Sequence, residues 1–193
     1  MTDFRNVVQR LVDIGLVEPE PTKGQPSGPV RLVVEKLETE FQETPKTLLP
    51  IIVIGGKSRY DVIGKMVKGG LVSVADDITA NAWRQAVSKE GGHSRLIKAD
   101  LSATAPAGSL EPGWLIKWAD GHRPMNAWEV ISLLVNHGSV MTPAKGLILA
   151  GETMLHGKVE HRLAVATRDN RSLLTSVGIK APGCLWVLPA THS

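Results

Sequence analysis

Twice along this chain an apolar, strand-sized run ends near a glycine, is followed by basic residues, and gives way to helical spacing. The first unit is Leu48-Leu-Pro-Ile-Ile-Val-Ile54, then Gly55-Gly56-Lys57-Ser58-Arg59-Tyr60, then Val62, Ile63, Met66 and Val67. The second is Trp114-Leu-Ile-Lys-Trp118, then Ala119-Asp120-Gly121-His122-Arg123-Pro124, then Trp128, Val130, Ile131, Leu134 and Val135 in a helix over 126–136. Continuous apolar runs of this length fit strands buried on both faces. Spacing of three and four fits helices that pack on them. A chain that alternates the two is expected to be α/β. Two occurrences of so short a unit do not amount to an internal repeat.

The remaining segments extend the same reading. Phe4, Val7, Val8, Leu11 and Val12 have helical spacing, and residues 18–29 hold four prolines and two glycines. Residues 1–29 are therefore expected to form a helix and an extended arm, and residues 30–193 a single α/β domain. Val30–Leu37 reads as a strand passing into a polar helix through Gln42. Leu71–Ala75 and Ser94–Leu101 read as strands, and Asp76–Val87 as a helix. Residues 102–113 form a loop. Beyond the 126–136 helix, closed by His137-Gly138, the chain is strand-rich: Gly146–Ala150, Val159–Ala166 and Leu185–Pro189. Asp169–Thr175 is expected to begin a short helix. All five tryptophans lie beyond the first third of the chain, which places the main core there.

Bulk properties narrow the classes. The single cysteine, Cys184, excludes an intramolecular disulfide and a thiolate metal cluster, and its apolar surroundings suit a buried thiol. The longest apolar run, Leu48–Ile54, is too short to span a bilayer. The N-terminus lacks a signal-peptide apolar region. A cytoplasmic protein is the expectation. The net charge of +3 permits contact with nucleic acid or nucleotide without demonstrating it.

The turns carry the candidate chemistry. Gly121 lets the backbone turn tightly after a strand, and Pro124 suits a helix start because its missing N–H costs nothing there. The helix then offers unpaired amides and its positive dipole end, which together attract anions. Arg123 can grip phosphate oxygens with two donors. His122 can serve as general base, metal ligand or phosphate contact, and Asp120 can orient it or hold a divalent ion. The equally plain alternative is a solvated Asp-Gly corner. At the first turn, Lys57, Arg59 and the backbone amides of Gly55, Gly56 and Ser58 can contact an anion. This turn is not a P-loop, since no glycine stands five residues before Gly56, where the motif's first glycine would be.

The order of helix, strand, strand, Asp120-Gly121-His122-Arg123 and helix resembles the ParB/sulfiredoxin superfamily over roughly residues 71–150. Gly121, His122 and Arg123 match its Gly-x-His-Arg type of turn, and Asp120 matches a nuclease-type variant. Gly55-Gly56-Lys57-Ser58-Arg59-Tyr60 is also similar to a turn of that superfamily. No cysteine lies in either turn, so sulfiredoxin chemistry does not carry over. The small plasmid-encoded members that suppress oncogenesis or fertility have a similar length. The resemblance implies a mixed sheet with flanking helices. It also implies an ATPase or DNase that uses ATP and a divalent cation such as Mg2+, and that inhibits conjugative DNA transfer through a protein partner in the transfer apparatus. In that scheme Asp120, His122 and Arg123 are catalytic, and Gly121, Gly55, Gly56, Lys57, Ser58 and Arg59 bind phosphate. Two other classes stand beside it: a non-catalytic interaction protein of viral or phage matrix or inhibitor type, and a DNA-binding adaptor without turnover.

Two further features carry less. His156 and His161 are metal-capable, but on alternating strands they are expected to point to opposite faces. Lys158, Arg162, Arg168, Arg171 and Lys180 make the C-terminal part basic. They can track a nucleic-acid backbone or form a solvated face.

Overall fold

The computed structural model describes residues 3–18, 29–55, 61–89, 92–100, 104–105, 123–138, 147–178, 186–187 and 190–192. The fold is mixed α+β, as the patterning implies. Its elements are α1 (Phe4–Asp13), α2 (Pro29–Gln42), β1 (Leu49–Val53), α3 (Val62–Lys68), β2 (Val72–Val74), α4 (Asp77–Ser88), β3 (Arg95–Asp100), β4 (Thr104–Ala105), β5 (Arg123–Pro124), α5 (Ala127–His137), β6 (Leu147–His156), β7 (Val159–Arg168), β8 (Arg171–Gly178), β9 (Trp186–Val187) and β10 (Ala190–His192). Among the described residues no helix is long and apolar enough to cross a membrane.

Helix α5 organises the molecule. Its sequence, Ala-Trp-Glu-Val-Ile-Ser-Leu-Leu-Val-Asn-His, is apolar around most of its circumference, and every one of its residues is buried. A helix without a polar face belongs inside, and α5 packs against α1, α4, β1 and β6. Asn126 caps its start, and Gly138 closes its end at φ 56°, a left-handed conformation that suits glycine. Trp128 and, from α4, Trp83 are fully buried beside Ile51, Ile52 and Leu133. Each such apolar side chain contributes roughly 1.5–3 kcal/mol on burial.

The strands form two sheets. One has the order β1-β3-β10-β5, antiparallel throughout. The other has the order β2-β8-β7-β6-β9-β4, with parallel pairing only between β2 and β8 and between β6 and β9.

β1 is an edge strand, and its open side is closed by side chains of α5. The amide of Ile52 donates to Asn136 Oδ1 at 2.8 Å, and Asn136 Nδ2 donates back to the Ile52 carbonyl at 3.0 Å and to Ser132 O at 2.7 Å. Trp128 Nε1 donates to Ile54 O at 3.0 Å, and His137 Nε2 lies 2.7 Å from Pro50 O. Pro50, Ile52 and Ile54 are the alternate residues whose polar groups point off the sheet. Pro50 has no N–H to satisfy, which is why proline is tolerated on an edge. The helix thus does the work of a further strand, and the edge is no template for foreign pairing.

Burial holds the His137 imidazole below its usual range. The Pro50 carbonyl opposes this, and the Arg10 guanidinium reinforces it. A depressed histidine stabilises the fold above its unfolded value near 6.5, and that stability is lost as pH falls below it. Urea unfolding is therefore expected to show stability declining between pH 7 and pH 5, with a flatter profile in His137→Gln. Identical profiles would remove His137 from the account.

Three segments differ from the patterning. Val30–Leu37 lies in helix α2, not a strand. Val30, Val33, Val34, Leu37 and Phe41 recur at helical spacing, and the β-branched residues misdirect the reading. Leu37 and Phe41 are buried, with Phe41 edge-on to Phe4 at 5.5 Å. Asp169–Thr175 starts no helix. Asp169 and Asn170 take φ 51° and 60° and form the two-residue turn between β7 and β8, which pairs Arg168 with Arg171. Helix α1 belongs to the common core through Phe4, Val7 and Leu11, and the 29/30 boundary falls at the first turn of α2. Within the expected 102–113 loop, Thr104–Ala105 pair with β9. The strand expected at Trp114–Trp118 lies outside the described residues.

Candidate functional site

The described ends of the two expected glycine turns, Gly55 and Arg123, flank the start of α5. β1 leads into Ile54 and Gly55, and its last residue, Val53, pairs with Arg95, the first residue of β3. Gly55 N approaches Ser94 Oγ at 3.4 Å. A Cβ on Gly55 would overlap the carbonyl oxygens of Gly92 and His93, so the backbones abut here as only glycine allows. Trp128, in the first turn of α5, ties this corner to the helix through Ile54.

Arg123 approaches from β5. Its guanidinium holds Glu129 with two donors, Nη2 to Oε1 at 2.6 Å and Nη1 to Oε2 at 2.8 Å. Arg95 Nη2 donates to the same Oε1 at 2.8 Å. The Glu129 side chain is fully buried, whereas those of Arg123 and Arg95 are 48% and 36% exposed. One buried carboxylate therefore anchors two arginines that still reach solvent. Burial pushes the Glu129 carboxyl up, but the Arg123 guanidinium, the Asn126 amide and Arg95 outweigh it and hold it below its usual range.

Glu129 also completes a capping box. Its amide donates to Asn126 Oδ1 at 2.8 Å, and its Oε2 accepts from Asn126 N at 3.0 Å. Glu152 Oε2, from β6, accepts from Ala127 N at 2.7 Å. The amides of Asn126, Ala127 and Glu129 at this helix terminus are thus engaged by the protein's own side chains. The anion site expected from the terminus is filled internally, and what faces outward is the arginine pair. Because Glu129 and Glu152 are engaged in this way, the described part of the site suits an anion better than a divalent cation. Among the described residues no three His, Cys, Asp or Glu side chains form a metal-binding group.

Of the residues expected to act here, Gly55 and Arg123 are described, and the structure brings them to one junction. Asp120, Gly121, His122, Gly56, Lys57, Ser58 and Arg59 lie outside the described residues. Sequence reasoning missed Arg95, Glu129, Asn126 and Glu152. The Asn126-x-x-Glu129 spacing was a readable capping-box signal. Arg95 and Glu152 become partners only through tertiary packing. Comparison with protein-family models, curated proteins and solved structures yields no match to this chain.

Proposed function

We propose that this is a cytoplasmic, ParB/sulfiredoxin-like protein that binds the phosphates of nucleotide or DNA at the junction of its two glycine turns. What supports the reading is that junction: Arg123 and Arg95 stand half-exposed on one buried glutamate, beside the strand end that leads into Gly55-Gly56-Lys57-Ser58-Arg59. Pinning a guanidinium on a buried carboxylate reduces the entropy lost when its solvent-exposed side meets phosphate. Hydrolysis of ATP or DNA, with Mg2+ and with Asp120 and His122 as its chemical groups, is the further step in this reading. Inhibition of conjugative transfer through a protein partner is its biological extension.

Fluorescence anisotropy with labelled duplex DNA and with a labelled ATP analogue tests binding and separates the two phosphate sources. Wild type is expected to bind with strong salt dependence. Arg123→Gln and Arg59→Ala should each weaken binding regardless of DNA sequence and reduce the salt slope by about 1. Full retention of affinity in the double variant would sink the reading. Phosphate release from ATP, with and without Mg2+, reports on turnover.

One feature favours a non-catalytic interaction protein instead. An open groove of about 470 Å3 lies between α4 and β6, bordered by Ile78 and Leu155, which are 50% and 74% exposed. Wild type that binds neither DNA nor nucleotide would favour this reading.

A further inference from the structure

The β6–β7 hairpin corrects one expectation from the sequence: His156 and His161 do not diverge. In the register His156 pairs with Val159, and Met154 with His161. Paired residues share a face, as do residues two apart on a strand. Both imidazoles therefore stand on one face of the hairpin, near its turn. Their ring centroids are 5.4 Å apart, with the planes tilted by 51°.

That separation suits a shared ion. A first-row cation bound to a ring nitrogen at about 2.0–2.1 Å lies about 3.2 Å from that ring's centroid. Two such arms spanning 5.4 Å enclose an angle of about 115°, close to tetrahedral. The second nitrogen of one ring is already placed. His161 Nδ1 lies 3.3 Å from Ser176 Oγ on β8, which leaves Nε2 for a ligand. Such outer hydrogen bonds fix the tautomer and orientation of ligating histidines. Nε2 looks across Gly178, where a Cβ would stand 3.9 Å away, so no side chain crowds it from that position. Asp76, the N-cap of α4, adds negative charge nearby. Its carboxyl is held below the usual range chiefly by the Thr79 amide, and His156 is among the lesser causes.

We propose that His156 and His161 form a two-nitrogen site for an imidazole-preferring divalent cation such as Zn2+, Ni2+ or Cu2+. Water or an outside donor completes the coordination. Mg2+, which prefers oxygen ligands, is not the expected occupant. The site is independent of the arginine junction.

Titrating the full-length protein with ZnCl2 by calorimetry, with Co2+ absorption as a second probe, tests the proposal. One site per chain in the micromolar range is expected. It should weaken roughly tenfold or more in both His156→Ala and His161→Ala, and persist in His93→Ala and His122→Ala. Excess Mg2+ should not displace the ion. Melting curves monitored by circular dichroism check that the variants are folded. Zinc uptake that is the same in wild type and in the folded His156→Ala/His161→Ala double variant would overturn the proposal. So would a wild type that takes up no zinc.

Discussion

Replacing Asn136 with leucine is expected to destabilise the fold by about 3–5 kcal/mol, although leucine is apolar, similar in size and buried in an apolar helix. The reason is what Asn136 satisfies. Its amide answers both the N–H and the C=O of Ile52, on a strand edge where both residues are buried. Leaving one buried polar group without a partner costs about 1–3 kcal/mol, and here two are stranded. For a chain of this length that corresponds to a melting point lowered by about 10 °C or more. Hydrogen exchange separates this cause from misfit packing. The Ile52 amide should lose protection selectively in Asn136→Leu, while Leu133→Ala, which opens a cavity of similar cost, should leave the Ile52 hydrogen bond in place. A variant within about 1 kcal/mol of wild type would mean that α5 does not close the β1 edge.

How much of this was legible follows from the range over which each signal acts. The apolar run at Leu48–Ile54 and the apolar circumference of 126–136 report burial directly, and β1 and α5 stand where those patterns put them. Val30–Leu37 is rich in β-branched residues, which favour strands, yet its apolar residues recur at helical spacing and it folds as helix. Asp and Asn suit a helix start and a hairpin turn alike, and at Asp169-Asn170 their tolerance of left-handed backbone decides for the turn. The histidine pair depends on a different kind of information. Alternation within one strand says nothing about residues on two strands until their register is known. At the junction, the local half of the Glu129 network, its capping box with Asn126, was within reach of sequence. Its long-range half, Arg95 from β3 and the neighbouring Glu152 from β6, was not.

Glu129→Gln probes both stability and the proposed phosphate site. Glutamine keeps one oxygen and nearly the same volume, so the capping box can survive in part. It cannot hold Arg123 by two charge-assisted bonds while accepting from Arg95. Both arginines are exposed enough to regain water, which limits the loss. A destabilisation of about 2–4 kcal/mol is expected at neutral pH. The pH dependence gives the sharper test. A carboxylate whose folded value is depressed adds stability above its unfolded value near 4.5, and that stability is lost as pH falls through the folded value. The difference between wild type and Glu129→Gln should therefore be full at pH 6 and shrink steadily below about pH 4.5. A difference that stays constant down to pH 3 would mean that the charge of Glu129 contributes nothing. The same variant frees Arg123 and Arg95 from their anchor while retaining both positive charges. If the junction binds phosphate through arginines held in place, DNA affinity should fall in Glu129→Gln even though the site becomes more positive. If affinity rises instead, bulk charge governs binding and the fixed geometry of the pair does not.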